Sequence, residues 1–119
     1  MKAIVCKVGS TPEVVELSEN GETAFEQVRQ HVGGYVERVR LGKFDVYVDE
    51  DGLPKGLPHN RTVAGQPIVG TFVVLGASPM WLVGLTDNEA KWLVTDLTAG
   101  GCLTQPVKKP GLRKCRPLD

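Results

Sequence analysis

At 119 residues, with no net formal charge, 41% hydrophobic and 24% charged residues, the chain lies in the ordinary globular range, which excludes global disorder and a fibrous architecture. A chain of this length is expected to form one domain that buries a core without obligatory disulfides or metals. The longest apolar run, Ile68 to Ala77, is interrupted by Gly70, Thr71 and Gly76 and falls well short of the roughly 20 residues of a bilayer span.

Lys2 to Val8 and Glu13 to Leu17 read as two short strands joined by the turn residues Gly9-Ser10-Thr11-Pro12, and an antiparallel pair is expected. Ser18 to Gly21 offers caps for a first helix. Ala24, Phe25, Val28 and Val32 follow at helical spacing, with acids near the start, bases near the end and Gly33-Gly34 as the stop. Tyr35 to Leu41 and Phe44 to Asp49 predict two further strands that turn at Gly42. Asp51-Gly52 and the spacing of Pro54, Gly56 and Pro58 make residues 53 to 67 an irregular connection, and long loops of that kind usually bind something. Ile68 to Leu75 is expected as the central strand, with Trp81 to Leu85 returning as its hairpin partner. Thr86-Asp87-Asn88-Glu89 matches the capping box, and Ala90, Leu93, Val94 and Leu97 form the apolar stripe of a second helix.

Charge is distributed unevenly. Lys108, Lys109, Arg113, Lys114 and Arg116 crowd the end of the chain, leaving nine bases against thirteen acids in residues 1 to 107. Any contact with nucleic acid, or with an acidic host protein, would therefore fall to this tail, because duplex affinity comes largely from phosphate neutralisation. Met1 to Lys7 lacks the apolar stretch of a secretory signal, so export by that route is not expected. Three cysteines without a CxxC pair suit a reducing compartment. Cys6 shares strand parity with Ile4 and Val8 and reads as core. Cys102 and Cys115, with His31 and His59, match no zinc spacing and read as unpaired thiols, so no metal and no cofactor is expected.

The order Val-Gly-Gly-Tyr-Val-Glu (32–37), Asp-Glu-Asp-Gly (49–52), Leu-Pro-His-Asn-Arg (57–61), Gly-Thr-Phe-Val-Val (70–74) and a closing Leu-Thr-x-x-Glu helix resembles the family known as domain of unknown function 3846, small proteins of bacteria, their phages and mobile elements. The resemblance covers roughly residues 2 to 97 and leaves the basic tail outside. It implies a cytoplasmic, often phage-borne accessory domain with no established enzymatic activity, and it supplies no catalytic residues.

Tyr35, His59, Asn60, Arg61 and Thr71 are the candidate ligand-binding residues. Asn60 offers an amide beside the Arg61 guanidinium, which can grip a carboxylate or phosphate with two parallel bonds, as a nucleotide-like ligand would need. The plainer alternative has Asn60 stabilising its loop through backbone bonds and Arg61 pairing with an acid such as Glu50. His59 reads as an exposed loop histidine rather than a general base, Tyr35 as either a stacking surface or a cover for the sheet edge, and Asp49-Glu50-Asp51 as a solvated turn rather than a calcium loop. Glu37 and Glu50 could pair as catalytic carboxylates, but nothing local sets their separation. No nucleophile elbow, Walker loop or dinucleotide fingerprint is found.

The expectation is an α+β domain over residues 1–103, with a mostly antiparallel sheet of five or six strands and two helices packed on one face, followed by a basic Pro-containing tail over 104–119. Its expected function is binding without catalysis, in the bacterial cytoplasm and as a homo-oligomer. The expected ligand is a small molecule, with a nucleotide-derived signal as the candidate and anti-defence sequestration as the role; the alternative is tail-mediated contact with nucleic acid or a host protein.

Overall fold

A computed structural model of the chain describes residues 1–103, and the basic tail expected over 104–119 lies outside them. The elements run β1 (Lys2–Cys6), β2 (Glu13–Glu16), α1 (Gly21–Val32), β3 (Val36–Leu41), β4 (Phe44–Asp49), β5 (His59–Val63), β6 (Gln66–Val69), β7 (Phe72–Gly76) and α2 (Asp87–Ala99). Five strands form an antiparallel sheet in the order β2-β1-β7-β4-β3, and β5 pairs with β6 in a separate two-stranded sheet. This is an α+β fold with β7 at the centre, where the most apolar segment was expected.

Every residue of β7 is buried, and so is nearly every residue of β1 and β4. Strands without polar alternation need cover on both faces, and they receive it. Ile4, Val46 and Val74 share one face by register and join Ala90, Leu93 and Leu97 of α2 in one apolar cluster. Val5, Tyr47 and Val73 share the other face and join Ala24, Val28 and Val32 of α1 in a second cluster. The two helices therefore cover opposite faces, not the single face expected. The sequence shows two apolar stripes but nothing that pairs a stripe with one parity of the strands.

The helix boundaries follow their capping chemistry. Asn20 caps α1 by accepting from the Thr23 N–H, and Gly33 closes it in the left-handed region at φ 93°. Thr86 and Glu89 satisfy each other's amides at the start of α2. Phe25, expected in the buried stripe of α1, is 41% exposed.

Residues 53 to 67 depart most from expectation. Instead of an irregular connection, they contain β5 and the start of β6, joined at Ala64-Gly65 with both φ angles positive (48° and 80°). This is the twist a two-residue hairpin demands, but it is carried by an Ala-Gly pair in place of the usual Asn-Gly. Pro67 is tolerated in β6 because that sheet has only two strands, both of them edges. The expected strand from Ile68 to Leu75 is split at Gly70, whose φ of 73° turns the chain from the small sheet into the large one. A Cβ there would come within 2.7 Å of Leu57 Cδ1, so the crossing requires glycine. Trp81 to Leu85 is not a strand: among the described residues its backbone pairs with the sheet through single bridges, from Val83 to Gly76 and from Leu85 to Lys2.

The two clusters share one sheet and should melt together. Leu93→Ala on one face and Leu75→Ala on the other, both at fully buried positions, are each expected to cost about 2–5 kcal/mol. In urea each should lower the midpoint of a single transition, with circular dichroism and tryptophan fluorescence superimposing; separate transitions by the two probes would contradict a shared core.

Candidate ligand-binding site

The pairing of β5 with β6 is irregular between His59 and Arg61, so Asn60 falls out of the ladder and its side chain is directed elsewhere. Its Nδ2 donates to the backbone oxygens of Cys6 (2.8 Å) and Gly70 (2.7 Å), and its Oδ1 accepts from Arg61 Nε at 2.8 Å. Arg61 then donates from Nη2 to Ser10 O at 2.6 Å and from Nη1 to Leu97 O at 3.3 Å. Helix α2 has no basic residue in its last turn, so the Arg61 guanidinium supplies from another element the positive charge that the carbonyl end of a helix favours.

Asn60 does stabilise through backbone bonds, as the plainer alternative held. Arg61, however, pairs with backbone carbonyls and Asn60 rather than with Glu50. The donors that would have gripped a ligand instead join the small sheet to β1, to the β1–β2 turn and to α2. His59 is exposed on the outside of this junction, and Thr71, half-buried, follows the Gly70 that Asn60 holds. Tyr35 sits apart at the end of α1, 67% exposed, with the Arg29 guanidinium 4.8 Å over its ring. Asn60, Arg61 and their neighbours are thus brought together as structure, and Tyr35 does not join them.

Cys6 lies beneath the junction as a free thiol with no exposure, and burial pushes its pKa up to about 12 although the Arg61 charge pulls the other way. Cys102 is not the unpaired thiol expected.

An open concavity lies where α2 leaves the outer strands uncovered. Val39, Leu41, Val46 and Val48 of β3 and β4 make its floor, Pro67, Ile68 and Val69 of β6 its far wall, and Leu53 and Pro54 its lip, enclosing about 340 Å³. That volume is at the lower end of the range for small-molecule sites. Its polar lining is Glu37, Asp49, Glu50 and Gln66, without a basic residue. Asp49 is buried and already neutralised: Oδ2 accepts from Lys55 Nζ at 2.8 Å and Oδ1 from the Asp51 N–H at 2.8 Å, and the lysine bond holds its carboxyl below the usual range. The acidic turn is therefore not simply solvated as expected, because one of its carboxylates anchors it. Glu37 and Glu50 remain exposed at the cleft without an ion pair among the described residues.

Sequence reasoning named Glu37 and Glu50 as a possible pair but missed the cleft. Its floor reads as ordinary core, and only the limited reach of α2 leaves that floor open. Among the described residues no group of three or more His, Cys, Asp or Glu could hold a metal ion, and no helix is long and apolar enough to cross a membrane.

Compared with known proteins, residues 1–98 match the family described as domain of unknown function (DUF3846). No curated protein and no solved structure matches the chain.

Arg61→Ala is expected to cost about 1.5–3 kcal/mol of stability in denaturant titration, as the loss of charge-assisted bonds does. Arg61→Lys should recover only part of it, since an ammonium cannot reproduce the fork to separate carbonyls. In the native protein Cys6 should resist alkylation at pH 8 and react after unfolding, read by peptide mass mapping. Because its folded pKa is raised from 9.0 to about 12, its contribution to stability is complete below the lower value and is lost as pH climbs through the upper one.

Proposed function

The chain belongs to the DUF3846 family, and from that premise we propose that it is a non-enzymatic binding domain whose cleft between β3–β4 and β6 takes a small molecule with an apolar body and a cationic end. The observation that carries this reading is the lining: an apolar floor in a space of about 340 Å³, two exposed carboxylates and no base. An apolar body hiding roughly 200 Å² would gain about 5 kcal/mol. Lost translational and rotational freedom offsets much of that gain. The charged end therefore decides whether binding is measurable, and Glu37 and Glu50 favour a cation. A nucleotide-derived guest, expected from the Asn-Arg pair, would bring phosphates toward the same carboxylates while the Arg61 guanidinium is engaged with carbonyls elsewhere. Capture without turnover suits sequestration, the anti-defence role open to an accessory protein of phages or mobile elements in a bacterial cytoplasm.

The test is a matched set of probes, 4-phenylbutylamine, 4-phenylbutanol and 4-phenylbutyrate, with a cyclic dinucleotide and ADP-ribose as anionic contrasts, measured by calorimetry and thermal shift. The amine should bind at least tenfold more tightly than the acid, an electrostatic difference of about 1.4 kcal/mol. Glu37→Gln combined with Glu50→Gln should abolish the preference, and Val48→Phe should block every probe. Tighter binding of the acid or of either nucleotide, or binding by none of the set, would overturn the reading.

A further inference from the structure

The point at which the described chain stops determines which surface the basic segment after it meets first. Leu103 is buried in the same apolar cluster as Leu41, Val46 and Ile68, three residues that line the ligand cleft. Its N–H donates to Asp96 Oδ2 at 2.9 Å, and it lies so close to the β3–β4 turn that a Cβ on Gly42 would come within 2.9 Å of its carbonyl oxygen. Two residues earlier, Gly101 O accepts from the Ala64 N–H of the β5–β6 turn at 2.6 Å. The chain is therefore delivered between these two turns, at the end of the cleft that Leu41 and Gln66 form.

The acids lie at the other end. The β3–β4 register pairs Leu41 with Phe44 beside the turn and Glu37 with Val48 away from it, and Glu50 follows the last residue of β4. Both glutamates are exposed and make no ion pair among the described residues, while Lys55 Nζ is held by Asp49 Oδ2 at 2.8 Å. Residues 104 to 119 carry Lys108, Lys109, Arg113, Lys114 and Arg116 against the single acid Asp119. Glu37 is four strand residues from Leu41, about 13 Å at a rise of roughly 3.3 Å per residue, and Lys108 is five residues from Leu103, about 16 Å when extended. That reach brings Lys108 and Lys109 to the carboxylates and passes Pro106 and Val107 over Val39 and Val48 of the floor.

We propose that residues 104–109 dock along the cleft of their own chain, with Lys108 and Lys109 against Glu37 and Glu50, and that this contact competes with the guest. Apolar residues meet the apolar floor and bases meet acids, the same complementarity that selects an amine with an apolar body. An exposed ion pair contributes little by itself, but a tethered partner is present at high effective concentration, so modest contacts suffice. The competition rests on the amine-binding reading of the cleft, whereas the docking stands without it.

Zero-length carbodiimide coupling of the full chain, followed by peptide mass mapping of the single-chain product, tests the docking. Links from Lys108 or Lys109 to Glu37 or Glu50 should exceed those to the exposed Glu22 and Glu26 of α1 at least tenfold. Links spread evenly over these carboxylates, or found only between two chains, would overturn the proposal. Calorimetry with 4-phenylbutylamine tests the competition: Lys108→Gln combined with Lys109→Gln should bind the amine at least threefold more tightly than the wild type. Equal affinity in the two chains would overturn the competition. If neither chain bound the amine while the cleft links formed, the docking would be supported and the reading of the guest would fail.

Discussion

Asn60 and Arg61 form the contact on which the remaining architecture depends. Two side chains from a bulge in a hairpin whose strands have five and four residues reach β1, the β1–β2 turn, the β6–β7 crossing and the last turn of α2. A two-stranded sheet is at best marginally stable alone. This one is held because its outward donors end on backbone carbonyls of other elements, and because Val63 and Ile68 enter the same cluster as α2. Ala64, at φ 48°, is fastened by donating its N–H to Gly101 O at 2.6 Å, and Gly101 approaches so closely that a Cβ would meet Thr62 O at 2.8 Å. The far wall of the ligand cleft is part of this hairpin, so the cleft's shape depends on the Asn-Arg junction even though neither residue lines it.

Three buried or half-buried aspartates do comparable work at the loops. Asp45 fastens the 78–82 loop, Asp49 the 49–55 turn, and Asp96 the chain after α2 by accepting from the Leu103 N–H at 2.9 Å. A carboxylate has room for several donors and is costly to bury without them. Each therefore orders the backbone that supplies its donors. For Asp49 and Asp96 the pKa direction reflects how completely each is satisfied: the Lys55 bond holds Asp49 down, while burial pushes Asp96 up with only the Leu103 amide opposing it. The lip of the ligand cleft, Leu53 and Pro54, rests on a turn fixed in this way.

Much of the fold was legible from the sequence because it is encoded locally. The capping residues Asn20, Thr86 and Glu89, the glycine at 33, the β1–β2 and β3–β4 hairpins and the central apolar strand all follow from neighbours within a few residues. The candidate site was not. His59-Asn60-Arg61-Thr62 reads as a polar loop because a strand so short and polar, turning at Ala-Gly and followed by Pro67, carries almost none of the usual strand signals. Its ladder exists because tertiary contacts hold it. Arg61 has the chemistry of an anion grip, but its partners are carbonyls 36 and 51 residues away, and no local pattern reports them.

The sequence by itself determined the helices, the strand pairs with short turns, the apolar segment at the middle of the sheet and the family, since each depends on spacing along the chain. Only the tertiary structure decided that the helices take opposite faces, that the Asn-Arg pair is spent on backbone, that α2 stops short of β3 and leaves a cleft, and that Phe25 and Trp81 lie outside the core. Those outcomes turn on which parity of a strand meets which helix and on donors finding acceptors across the fold. Distance in space settles both, and spacing in sequence does not record it.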